Sequence, residues 1–213
     1  MDAGPGSLAE LLRHTTLGAL DAVWLSHLHL DHIGDLFNAF YALAYGELPA
    51  RSPLPVYAPA ALGDRLAGFF AQPDPGVFSD VLDLRPLSDG HSVQIKDLEL
   101  TSRAVEHGGE AYALRASVDG HTFAYSGDCA PCAGLDAVAA DADLLLCEAN
   151  DPVPTPVHHT PAQTGDLAYR ANTKHLVVTH VGPLLDPVAA TSQAAEAFGG
   201  PTTQAMLGAT IPF

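Results

Sequence analysis

The run His27-Leu28-His29-Leu30-Asp31-His32 constrains this chain more than any other stretch. Three imidazoles and a carboxylate within six residues carry a heavy desolvation cost in a folded protein unless a cation pairs with them. The run directly follows β-prone residues 22–25 and precedes a helical stretch, which puts it at the end of a strand. Alternate histidines leaving a strand point to one side, so His27 and His29 can bind one ion. The turn into the helix redirects Asp31 and His32 toward a second. Two metal positions are the natural reading of these six residues.

The rest of the chain reads as interspersed strands and helices. Short β-prone runs at residues 22–25, 56–57, 98–105, 112–118, 122–125, 144–147 and 176–178 are each bounded by Gly, Pro, Asp or His. Helical spacing fits residues 7–13, 33–45, 60–70, 161–171 and 187–198, and Pro161 and Pro187 suit a first helical turn. Hairpin-like runs fill the middle, and strand-helix-strand order prevails near both ends. This pattern predicts a layered α/β sandwich rather than an all-parallel, doubly wound sheet. No linker, repeat or low-complexity tract interrupts it, so one domain over residues 1–213 is expected.

Composition narrows the function. At 213 residues with 47% hydrophobic and 16% charged side chains, the chain has apolar surface enough for a core and is not of the disordered type. Nine Lys and Arg stand against 25 Asp and Glu, and the formal charge of −16 disfavours an extensive nucleic-acid surface. No run approaches the roughly 18 apolar residues that span a bilayer, and residues 1–20 lack a signal-peptide pattern, so a cytoplasmic protein without a membrane partner is expected. Cys129, Cys132 and Cys147 are too few and too clustered for a disulfide framework, which fits a reducing compartment. Cys129-Ala-Pro-Cys132 reads as C-x-x-C, but packing is the expectation for all three.

The HxHxDH pattern resembles the signature of the metallo-β-lactamase superfamily, and the likeness continues along the chain. Asp2-Ala-Gly-Pro-Gly-Ser7 resembles that family's early aspartate-glycine turn. His107 follows a β-prone run as the family's third histidine does, Ser126-Gly127-Asp128 ends a strand like its bridging aspartate, and Thr179-His180 resembles its last histidine. Within the superfamily, ribonuclease Z and its relatives are most similar on two local features. Leu146-Cys147-Glu148-Ala149 resembles their strand ending in Glu-Ala, and His158-His159-Thr160 with Gln163 and Gly165 resembles their His-x-Thr helix entry, His158 being in register.

The resemblance implies a four-layer αβ/βα sandwich of the metallo-β-lactamase type, here expected to lack the N-terminal strand or strands. It implies that His27, His29 and His107 hold one metal, that Asp31, His32 and His180 hold a second, and that Asp128 bridges them. Ligands of this type suit two divalent ions, zinc first, with manganese or iron as alternatives. The implied reaction is attack of a metal-bridging hydroxide on a phosphodiester, with Asp31, His158 and Glu148 as the catalytic residues. Asp2 is read as bracing the metal ligands from behind. His14, His91, His121, His159 and His175 are read as ordinary.

Other hydrolase substrates use the same dinuclear site: carboxylic esters, lactones, thioesters and sulfate esters. A non-catalytic member of the superfamily is the reading from a different class. The diiron flavoprotein branch is disfavoured, because the HxHxDH motif contains no glutamate and no flavodoxin-like extension is visible. The 20 residues between His107 and Asp128 are used up by two strands and the Asp119-Gly120 turn, which leaves no room for the long arm with which ribonuclease Z grips tRNA. The partners expected are therefore a small-molecule or short phosphodiester substrate, with a homodimer left open.

Overall fold

The computed structural model describes residues 1–46 and 52–212. The chain divides into two compact units, Met1–Leu87 and Ser88–Phe213.

In the first unit, α1 (Ser7–Leu11), β1 (Val23–Trp24), α2 (Leu30–Tyr45), β2 (Leu54–Ala58), α3 (Leu62–Phe69) and β3 (Leu82–Pro86) follow in order. The strands form a parallel sheet, β1-β2-β3, in which Val23 faces Val56 and Leu54 faces Leu82. The helix α2 forms because its apolar residues repeat at helical spacing. Ile33, Leu36, Phe37, Phe40 and Leu43 are all buried and make one stripe. They pack with Leu25, Val56, Leu62, Leu66 and Phe78 in this unit's core. The strand β3 escapes a reading by pattern because it alternates poorly and carries Arg85 and Pro86. An edge position explains why both are tolerated.

The second unit holds β4 (Ser92–Ile95), β5 (Leu98–Ala104), β6 (Tyr112–Val118), β7 (His121–Tyr125), α4 (Ala133–Ala139), β8 (Leu144–Ala149), α5 (Pro161–Arg170), β9 (His175–Val181), α6 (Pro187–Phe198) and β10 (Thr202–Gln204). Its seven-stranded sheet runs β10-β9-β8-β7-β6-β5-β4. The pairs from β4 to β7 are antiparallel and those from β7 to β10 are parallel. Asp119 and Gly120, both at positive φ (51° and 80°), make the tight turn that joins β6 to β7. Each parallel pair is joined through a helix. Thr160 and Gln163 form a reciprocal capping box at the start of α5, and Asp186 caps α6 through the Ala189 N–H. A Cβ at Gly165 would stand 2.2 Å from the Ala194 carbonyl oxygen, so only glycine lets α5 and α6 approach this closely.

Among the described residues no helix is long and apolar enough to cross a membrane.

Candidate functional site

In the first unit the functional residues lie where β1 hands over to α2. The strand is shorter than the sequence suggests, ending at Trp24, and residues 25–29 are irregular. Strand alternation therefore does not orient the histidines. His29 takes the cap position of α2, which places Asp31 and His32 in the first helical turn. The His27 ring nevertheless lies 4.7 Å from that of His29 and 4.1 Å from that of His32, centroid to centroid. Asp31 Oδ2 is 3.7 Å from His32 Nε2. His27 and His32 are buried, whereas His29 and Asp31 are open to solvent.

Asp2 organises this group. Its Oδ1 accepts from the Ser26 N–H at 2.7 Å, and its Oδ2 accepts from the Ser26 hydroxyl at 2.8 Å and lies 2.6 Å from His32 Nδ1. Ser26 Oγ is also 3.0 Å from His27 Nδ1. With Nδ1 of His32 donating to a carboxylate, Nε2 is the nitrogen left with a lone pair, the arrangement a metal-binding imidazole needs. The Ala3 N–H donates to the His32 carbonyl and the Asp35 N–H to the Ala3 carbonyl, each at 2.7 Å, so the segment is stitched to the first turn of α2. Gly4 permits that approach, since a Cβ there would fall 2.0 Å from the Asp31 carbonyl oxygen.

In the second unit His107, Asp128, Glu148, His158 and His180 converge. His107 follows β5, and its Nδ1 donates to the Val157 carbonyl at 2.8 Å, which leaves Nε2 3.9 Å from Asp128 Oδ2. His180 Nε2 lies 3.6 Å from the same oxygen. His180 has φ 44° and sits beside a register shift, with Glu148 opposite Thr179 but Ala149 opposite Val181. This bulge turns a residue that strand alternation would aim elsewhere. The ligand-capable atoms of His107, Asp128 and His158 lie within 4.8 Å of one another, as do those of Glu148, His158 and His180.

Glu148 is fully buried, accepts from the Cys129 N–H at 2.6 Å, and has His158 Nδ1 at 3.0 and 3.1 Å from its two carboxyl oxygens. Burial pushes its carboxyl up to about 7 despite the opposing pull of the His158 hydrogen bond. His158 is raised in turn, chiefly by its hydrogen bond to Glu148. Of the histidines read as ordinary, His159 is buried with Nδ1 donating to the Cys129 carbonyl at 2.6 Å, and His14 and His175 engage Glu10 and Thr203. Sequence reasoning missed Ser26 and the Val157 carbonyl. A serine beside a histidine and a main-chain oxygen carry no signal of their own.

The donor chemistry fits divalent transition metals. Each unit gathers imidazoles with a carboxylate, and His32 and His107 have their second nitrogens tied to an acceptor.

The profile of the beta-lactamase superfamily domain matches residues 1–181. Uncharacterized protein ML1173 of Mycobacterium leprae is 33% identical over 219 residues, covering 99% of this chain and 76% of its own length. Ribonuclease Z of Natronomonas pharaonis is 26% identical over 259 residues, covering 93% of this chain and 83% of its own. Among solved structures, the metallo-beta-lactamase fold protein YhfI from Bacillus subtilis superposes with a TM-score of 0.83 at 22% identity, over 97% of this chain and 84% of that one. By fold and by sequence, the chain belongs to the metallo-β-lactamase superfamily.

Proposed function

We propose that this chain is a dinuclear metal-dependent hydrolase of small phosphodiesters, its two units forming one hydrolase domain. In this reading His27, His29 and His107 hold one ion, Asp31, His32 and His180 the other, and Asp128 is shared between them. Zinc is the first choice because every ligand is an imidazole or a carboxylate.

The observation that carries the reading is the Glu148–His158 pair beside Asp128. Holding metal does not require it, whereas an acid that protonates a leaving group does. Two ions held by these residues would supply Lewis-acid chemistry, acidifying a water and drawing charge from the substrate. Asp31, a solvent-open carboxylate in the first turn of α2, accepts the proton of the attacking water. Glu148 fixes His158 through Nδ1, and His158 delivers a proton from Nε2 to the departing oxygen. The likeness to ribonuclease Z favours a phosphodiester over other esters. The charge of −16 favours a small substrate over a polyanion.

The test is hydrolysis of bis(p-nitrophenyl) phosphate against p-nitrophenyl acetate, with zinc or manganese supplied. Preference for the phosphodiester, abolished by a chelator and restored by metal, is expected. Preference for the acetate, or turnover indifferent to chelation, contradicts the reading.

A further inference from the structure

The loop from β8 to α5 carries two groups of the candidate site on one peptide unit. The Val157 carbonyl accepts from His107 Nδ1 at 2.8 Å, and the N–H of the same peptide belongs to His158. The sequence leading up to it is Asn150-Asp-Pro-Val-Pro-Thr-Pro-Val-His158. Pro152, Pro154 and Pro156 have no N–H to give, so backbone bonding can do little to fix the path between Asp151 and Val157. Each proline also keeps the residue before it extended. A stiff, donor-poor loop of this kind has to be located by its side chains.

Asp151 and Thr155 do this. Asp151 Oδ2 accepts from the Thr155 hydroxyl at 2.7 Å, and its Oδ1 accepts from Asn150 Nδ2 at 3.3 Å. A hydroxyl has one proton, and with that proton spent on Asp151 the Thr155 oxygen is left as an acceptor. The His158 N–H donates to it at 3.2 Å. The Asp151 N–H closes the loop on the His159 carbonyl at 3.1 Å. Gly182, two residues beyond His180, backs the loop's base, where a Cβ would fall 2.1 Å from the Asn150 carbonyl oxygen. The Val157–His158 peptide is thus held at both ends, its N–H by Thr155 and its carbonyl by His107. Because a peptide unit is planar, the two groups turn together.

We propose that Thr155, oriented by Asp151, is a positioning residue of this site: its grip on the His158 N–H aims the Val157 carbonyl at His107 and sets the main chain from which the His158 ring reaches Glu148. The consequences for metal and turnover rest on the roles that the proposed function gives His107 and His158; the aim of the two rings does not. The bonds from His158 Nδ1 to Glu148, at 3.0 and 3.1 Å, fix the ring but leave the backbone behind it free to rock. Thr155 removes that freedom. It also keeps the proton of His107 on Nδ1, which leaves Nε2 as the nitrogen with a lone pair. One hydroxyl therefore aligns two imidazoles, and neither touches it with a side-chain atom.

The test is Thr155→Val in the full-length chain, which keeps the branched shape and removes the hydroxyl, with Thr155→Ser as the rescue. In the metal-free chain, proton NMR should show slowly exchanging Nδ1–H resonances of His107 and His158 in the wild type and in Thr155→Ser, and broadened or lost ones in Thr155→Val. With zinc supplied, Thr155→Val should bind the metal ~10-fold more weakly in chelator competition, the size of effect that outer-shell partners have. Its kcat on bis(p-nitrophenyl) phosphate should fall by a similar factor with KM unchanged, as for an interaction that matters only in the transition state. Asp151→Ala should reproduce these losses, and the double variant should lose no more than Thr155→Val alone, because both act through one chain of bonds. Unaltered ring resonances in Thr155→Val, a defect that Thr155→Ser does not repair, or additive losses in the double variant would overturn the proposal. A wild-type chain that takes up no zinc or leaves the phosphodiester intact speaks against the proposed function instead, and the ring resonances then still decide whether Thr155 positions the two histidines.

Discussion

Asp2 Oδ2 stands 2.6 Å from Nδ1 of His32, thirty residues further along the chain, and the same carboxylate accepts both the N–H and the hydroxyl of Ser26. One side chain thereby fixes the ring of His32 and braces the corner that carries His27. Asp2→Ala removes that brace while leaving every proposed ligand in place. It should weaken metal binding by ~10–100-fold, the usual cost of losing an outer-shell partner, as measured by chelator competition. Unchanged affinity would mean that helix geometry alone orients His32.

Asp128→Ala should lose at least one ion per chain and nearly all activity, because it removes the one ligand assigned to both metals. Elemental analysis beside the phosphodiester assay checks this. Full metal content with activity intact would remove Asp128 from the centre.

His158→Ala should keep its metals and lower turnover by ~10²–10⁴-fold, as loss of a general acid does. His107→Ala is the contrast, since it should lose metal as well. If His158→Ala empties the site, His158 is a ligand or a fold element rather than an acid.

The Glu148 carboxyl, raised from 4.5 to about 7 by burial, sets a pH dependence for the metal-free chain. A group whose pKa rises on folding contributes stability that is fully present below its unfolded value and is lost as pH climbs through the folded one. His158 is raised as well and acts in the same direction. Thermal midpoints in the presence of a chelator should therefore fall between about pH 5 and pH 8. Glu148→Gln, which keeps an acceptor for the Cys129 N–H, should flatten that decline. Parallel curves for the two proteins would show that Glu148 does not titrate in this range.

Precursor tRNA should be a poor substrate. Affinity for folded RNA comes largely from Lys and Arg on phosphates, and this chain has nine such residues with a formal charge of −16. Between His107 and Asp128 the chain forms only β6, the Asp119-Gly120 turn and β7. Specific 3′ cleavage with submicromolar affinity at physiological salt would contradict this expectation.

Much of the fold is legible where side-chain period and breakers agree. The stripe from Ile33 to Leu43 specifies α2, the Asp119-Gly120 turn specifies the hairpin, and Pro161 and Pro187 mark helix starts. The short elements were not legible. The strand β10 is three polar residues, β4 is a half-exposed edge, and α4 is a seven-residue helix with Gly134 in its first turn. At the candidate site the residue types stand out in sequence, but their aim does not. The bulge that turns His180 arises from strand register, and the grip of Val157 on His107 is a main-chain contact fifty residues away. Neither leaves a mark in local composition.

Metal stoichiometry distinguishes a two-metal centre from a single-ion site or none. Chain stripped with a chelator, reloaded with excess zinc and dialysed should retain close to two ions per molecule by elemental analysis. Uptake of a single ion, or failure to take up zinc, manganese or iron at all, would contradict the claim.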